Sequence, residues 1–80
     1  MDKHYEYLTE LYDRSNGNPH FLMGFLDVAK NIGMPTEGYE NHTHVVELVN
    51  DLVEQSWVTY SALGCISITD DGKDEIEGWL

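Results

Sequence analysis

The side chains best suited to hold a metal ion are Glu40, His42 and His44, which alternate along one short stretch. Residues two apart on a helix point roughly 200° away from each other, so His42 and His44 cannot share an ion on a regular helix, whereas Glu40 and His44 can. Two ligands do not make a site, and surface or capping roles account for these residues. Ser15, His20 and Asp27 supply the residue types of a hydrolytic triad, but no nucleophile-elbow sequence surrounds the serine. Cys65 is the only cysteine. It has no second thiol for a disulfide or a zinc cluster and no evident base to activate it, and it reads as a small strand residue. Asn41-His42-Thr43 fits the glycosylation acceptor pattern, yet Met1 to Glu6 contains no apolar leader, so the match reads as chance. The expectation is a noncatalytic chain without metal or cofactor.

Charge and length narrow the reading further. The 80 residues hold 4 Lys plus Arg against 15 Asp plus Glu, a formal charge of 4 − 15 = −11. A chain this short buries only about 60% of the surface that its unfolded form exposes, which supports one domain over residues 1–80 and leaves little room for a catalytic cleft. Its apolar runs, such as Phe21-Leu22-Met23, are far below the roughly 20 residues of a membrane-spanning helix. An intracellular, cytoplasmic location without membrane contact is expected.

Periodicity then places the elements. Tyr5, Leu8, Leu11 and Tyr12 predict a first helix over Asp2 to Arg14, ended by Ser15-Asn16-Gly17-Asn18-Pro19. Asn18 as cap and Pro19 in the first turn predict a second helix with an apolar stripe of Leu22, Phe25, Leu26, Ala29 and Ile32, closed by Gly33. Val45, Val46, Val49, Leu52 and Val53 predict a third, starting between Tyr39 and Thr43. Two β-rich stretches, Trp57–Tyr60 and Cys65–Thr69, predict a hairpin with Ile66 and Ile68 on one face. Thr69 or Asp70 caps a last helix carrying Ile76, Trp79 and Leu80. Among the aromatics, Tyr5, Tyr12, Phe21, Phe25, Trp57 and Trp79 are expected mostly in the core, and Tyr7, Tyr39 and Tyr60 near the surface.

The result is a mainly α fold with a small β-hairpin, ordered helix-helix-helix-strand-strand-helix. The segments Leu52-Val53-Glu54-Gln55-Ser56-Trp57-Val58 and Ile66-Ser67-Ile68-Thr69-Asp70-Asp71-Gly72 resemble the winged helix-turn-helix regulators. In that family a helix ends on Leu, turns through a small residue into a strand, and leaves the wing through a Leu-Thr-x-x-Gly-like exit. Ser56 stands where Gly is usual, and the 19 positions from Gly33 to Leu52 exceed the common spacing. The resemblance implies a DNA-binding transcription regulator, able to form a homodimer through the first and last helices. It also implies that the outward face of helix three, Glu40, Asn41, His42, Thr43, Glu47 and Asn50, and a wing of Ser61, Ala62, Leu63 and Gly64, make the contacts.

Charge opposes that implication. No Lys or Arg occurs in the 42 residues between Lys30 and Lys73, which hold Glu37, Glu40, Glu47, Asp51, Glu54, Asp70 and Asp71. Phosphate binding relies on Lys and Arg, so at ordinary ionic strength this stretch repels a duplex. Asn41, Thr43 and Asn50 remain able to reach base edges, and at molar salt, with a Debye length of roughly 3 Å, the repulsion fades. The alternative is an acidic module that binds a basic protein partner, with mimicry of DNA as its extreme form.

Overall fold

The computed structural model describes residues 2–79. Helix α1 (Lys3–Ser15) is capped by Asp2, whose carboxylate accepts the His4 amide at 2.8 Å, and it ends where Asn16 turns left-handed at φ 54°. Strand β1 (Met23–Gly24) leads directly into helix α2 (Phe25–Asn31), and helix α3 (Tyr39–Glu54) follows. Strand β2 (Val58–Tyr60), a 3-10 turn (Ala62–Gly64), strand β3 (Cys65–Ile68) and helix α4 (Asp70–Trp79) complete the order. The fold is mainly helical with a small antiparallel sheet.

That sheet has three strands, ordered β1-β3-β2, where the sequence predicts a two-stranded hairpin. Met23 lies opposite Ile66 and Gly24 opposite Cys65, so residues 23–24 leave the expected second helix and pair with the far side of β3. Helix α2 consequently starts six residues after Pro19, with Gly24 as its extended cap, and Leu22 is exposed. Asn18 caps only a turn, its Oδ1 accepting the His20 amide at 2.9 Å. The signal was hidden because a two-residue strand shows no alternation, and because Leu22 and Phe25 happen to continue a helical stripe.

The core is one cluster in which Tyr7, Leu8 and Leu11 of α1 meet Val28 and Ala29 of α2, Val45, Leu48, Val49 and Leu52 of α3, and Ile66, Ile68 and Ile76. Tyr7, expected at the surface, is 0% exposed. It shares the inward face with Leu11 and Ser15, four and eight residues on, and its hydroxyl donates to the Phe25 carbonyl at 2.6 Å, which satisfies the buried phenol. Phe21 and Trp79, expected inside, are 41% and 52% exposed. Phe21 precedes α2 rather than lying on it, and Trp79 rests on the Tyr5 ring, with centroids 6.0 Å apart. Leu80 lies outside the described residues.

The Thr69-Asp70-Asp71-Gly72 motif has a direct physical role. The Thr69 side chain accepts the Gly72 amide at 3.0 Å, capping α4, while its backbone N–H donates to the Trp57 carbonyl at 3.0 Å. Just before Trp57, Ser56 takes φ 65°, the left-handed geometry that ends α3 and for which glycine is the easier residue. The long spacing from Gly33 to Leu52 is taken up by the connection 32–38 and by the four full turns of α3.

Candidate functional site

Helix α3 presents two different edges to solvent. Glu40, Glu47, Asp51 and Glu54 are exposed and recur at helical spacing along one stripe. His42, Val46 and Asn50, each four residues from the next, form the other edge, which meets Phe25 and β2. Its ends are fixed by contact. The His42 ring meets the Phe25 ring edge-on at 5.5 Å, and Asn50 Oδ1 accepts the Tyr60 hydroxyl at 3.0 Å.

Ser61, Ala62, Leu63 and Gly64 are all exposed, closed by a hydrogen bond of 2.8 Å from the Ser61 amide to the Cys65 carbonyl. Leu63 is 100% exposed and holds φ 63°. A shallow groove of about 180 Å³ runs beneath it, lined by Gly24, Phe25, Leu26, Asp27 and Gly64. From Tyr60 to Thr69 the chain carries no charged residue. Tyr39, 85% exposed, opens α3 beside Glu40. The surface is thus an uncharged, partly apolar strip bordered by carboxylates.

Several residues expected to contact a partner are already engaged. Asn41 spends one amide hydrogen on the Glu37 carbonyl at 2.8 Å, closing the first turn of α3 after Gly38, which sits at φ 88° and offers no side-chain cap. Asn50 spends its acceptor on Tyr60. Thr43 is half-buried, while Glu40, His42 and Glu47 remain exposed.

Other candidate chemistry does not assemble. Among the described residues no three His, Cys, Asp or Glu side chains converge on a point where a metal would sit. Ser15 is buried, donating to the Tyr12 carbonyl and accepting the Gly17 amide, and it serves as the end of α1. Cys65 Sγ lies 4.0 Å from the Leu63 carbonyl.

The chain matches no protein-family model, no curated protein and no solved structure. Function therefore rests on its own geometry.

A second constellation escaped the sequence reading. At the junction of α1 and α3, His4 Nδ1 is 2.9 Å from Asp2 Oδ1 and His4 Nε2 is 2.9 Å from Asp51 Oδ2. The hydrogen bond to Asp51 is the main reason that the imidazole is held above its ordinary pKa, against desolvation and with help from Asp2. Asp2 is lowered in turn, chiefly by the His4 backbone N–H and then by its ring. Beside them lies a groove of about 360 Å³ lined by Tyr5, Leu52, Glu54, Gln55 and Trp57. Two features of the sequence pointed here: the Asp2-x-His4 spacing, and acids without any base in the last turn of α3.

Neutral donors elsewhere stand in for scarce cations. The Tyr5 and Tyr12 hydroxyls donate to Glu75 at 3.0 Å and Glu77 at 2.9 Å, joining α1 to α4. Both phenols are raised above their ordinary pKa, first by these carboxylate hydrogen bonds.

Proposed function

We propose that this chain is a noncatalytic winged-helix-type binding module whose α3 edge and 61–64 loop dock on a protein partner with apolar groups flanked by basic ones. The observation that carries the reading is Leu63. A left-handed leucine costs about 1 kcal/mol relative to relaxed backbone and, fully exposed, gains no burial in return, so its value lies in contact with something else. The neighbouring Phe25, Ala62 and Tyr60 extend the apolar area, and Asp27 in the groove beneath Leu63 gives it a carboxylate that complements a basic side chain. The order of helices and strands, with β1 on the outer edge of β3, is compatible with the winged-helix resemblance of the sequence.

DNA binding in transcription control is the second reading. It is favoured by that topology and by the absence of charge along the loop, and it requires high salt because α3 offers phosphates only carboxylates. A homodimer through α1 and α4 fits either reading.

One experiment separates the two. A photo-crosslinking residue is placed at position 63 in the host cell, with position 37 as control, and each adduct is treated with protease or nuclease. The protein reading expects a position-63 adduct that protease destroys and nuclease leaves intact. A nuclease-sensitive adduct transfers the assignment to DNA. Equal yields at both positions, or no adduct at 63, remove the site.

A further inference from the structure

We infer that the groove between the start of α1 and the end of α3 is a receptor for one arginine side chain of a basic protein segment. The inference deepens the reading of a basic protein partner and rests on it for the source of the arginine. The site itself is separate from the α3 edge and the 61–64 loop.

The groove combines two features that suit a guanidinium group. Its wall is aromatic: Tyr5 and Trp57 both line it, their centroids 5.8 Å apart at 43°. Tyrosine and tryptophan faces attract cations, and a planar guanidinium can stack on them while its edge makes hydrogen bonds. Its rim is acidic, with Asp2, Asp51 and Glu54 all exposed. His4 uses Asp2 Oδ1 and Asp51 Oδ2, while Asp2 Oδ2, Asp51 Oδ1 and both oxygens of Glu54 accept no hydrogen bond from the described residues.

Helix polarity adds a third reason. Asp51 and Glu54 stand in the last turn of α3, where the helix carries its partial negative charge, and no basic residue lies in that turn. Carboxylates there are repelled by the helix end, and a cation is favoured by both. His4 engages one oxygen each of Asp2 and Asp51, and an arginine from outside adds a cation for Glu54 and the oxygens that His4 does not reach. The volume of about 360 Å³ admits a side chain rather than a folded surface.

The test uses the full chain and N-acetyl-arginine methylamide, followed through amide and Trp57 indole NMR shifts. Saturable shifts are expected at Trp57, Gln55 and Asp51, with a weaker response to the lysine analogue and none to the neutral citrulline analogue. Glu54→Gln, which breaks no hydrogen bond of the fold, should weaken binding by about threefold, and Asp51→Asn with Glu54→Gln by about tenfold. Glu37→Gln with Asp71→Asn removes the same charge elsewhere and should change affinity less than twofold. Equal weakening by both pairs, shifts scattered over the surface, or a citrulline response equal to that of arginine overturns the inference. Leu63→Asp should leave arginine binding intact, so a failure here and a failure of the loop as a docking site are read separately.

Discussion

Gly72 packs so closely on the backbone of Trp57 that a β-carbon at position 72 would overlap the Trp57 carbonyl oxygen. The same carbonyl accepts the Thr69 amide, and Thr69 caps the helix that contains Gly72. The approach of α4 to the start of β2 is therefore set by one absent side chain. Gly72→Ala should destabilise by about 2 kcal/mol, because overpacking against backbone outweighs the roughly 1 kcal/mol of helix propensity that alanine gains. Urea unfolding measures it. Unchanged stability would mean that α4 can shift outward without loss.

Ser56 presents the opposite case, a side chain where glycine would serve better. At φ 65° and exposed, it pays left-handed strain at the end of α3 without a side-chain hydrogen bond in return. Ser56→Gly should raise stability by about 0.5–1 kcal/mol, the relief of strain exceeding the entropy of the freer unfolded chain. The midpoint of urea unfolding should rise with an unchanged slope.

Tyr7 ties α1 to α2 through a hydrogen bond of 2.6 Å to the Phe25 carbonyl. Burial first, and then the nearby Tyr60, hold its phenol far above the ordinary pKa, so it stays a donor throughout the stable range. Tyr7→Phe keeps the ring and removes the hydroxyl's hydrogen bond to the first residue of α2, for an expected loss of about 1 kcal/mol. Amide exchange in α2 should accelerate with the global loss. A neutral result would show that this hydrogen bond adds nothing to the joining of α1 and α2.

These residues also show what sequence makes legible. Helices α1 and α3 carry long stripes, and Thr69 is of a capping type before α4, so they were readable, whereas Asp2, read as the start of the first helix, is its cap. Tyr7 was misplaced because tyrosine is amphipathic and its partner is a backbone carbonyl, which no side-chain pattern records. Strand β1 was missed since pairing with β3, a long-range event, overrides two residues of helical spacing. At the candidate site, sequence reasoning named the 61–64 loop but not the strain at Leu63, which is a backbone property. The link from His4 to Asp51 spans 47 positions and arises only when α1 meets α3.

That link gives stability a pH dependence of known sign. The pKa of His4 is raised on folding, so its contribution is fully present below the unfolded value near 6.5 and is lost as pH rises through the folded value. Asp2, lowered from 3.8, contributes above that value and loses it as pH falls through the folded one. The difference in melting temperature between the natural chain and His4→Gln should be widest near about pH 5–6 and shrink toward about pH 8 and below about pH 4. Imidazole exposure to solvent keeps the effect modest. A difference that grows with pH would contradict the assignment of His4 as the cation of this cluster.

Leu63 offers the sharpest test of why the loop is built as it is. If the residue is kept for contact with a partner, its replacement by one that accepts left-handed backbone should help the fold and harm the function. Leu63→Asn is such a replacement, since asparagine visits that region readily and the leucine side chain buries nothing. Stability should rise by about 0.5 kcal/mol, read from urea unfolding. The yield of protein adduct from a photo-crosslinker at Ala62 should fall at least severalfold in the same variant. Higher stability with an undiminished adduct would mean that Leu63 is a tolerated surface residue and that the docking surface lies elsewhere on α3. Lower stability would mean that the leucine packs against Phe25 in solution, which would withdraw the observation on which the proposed function rests.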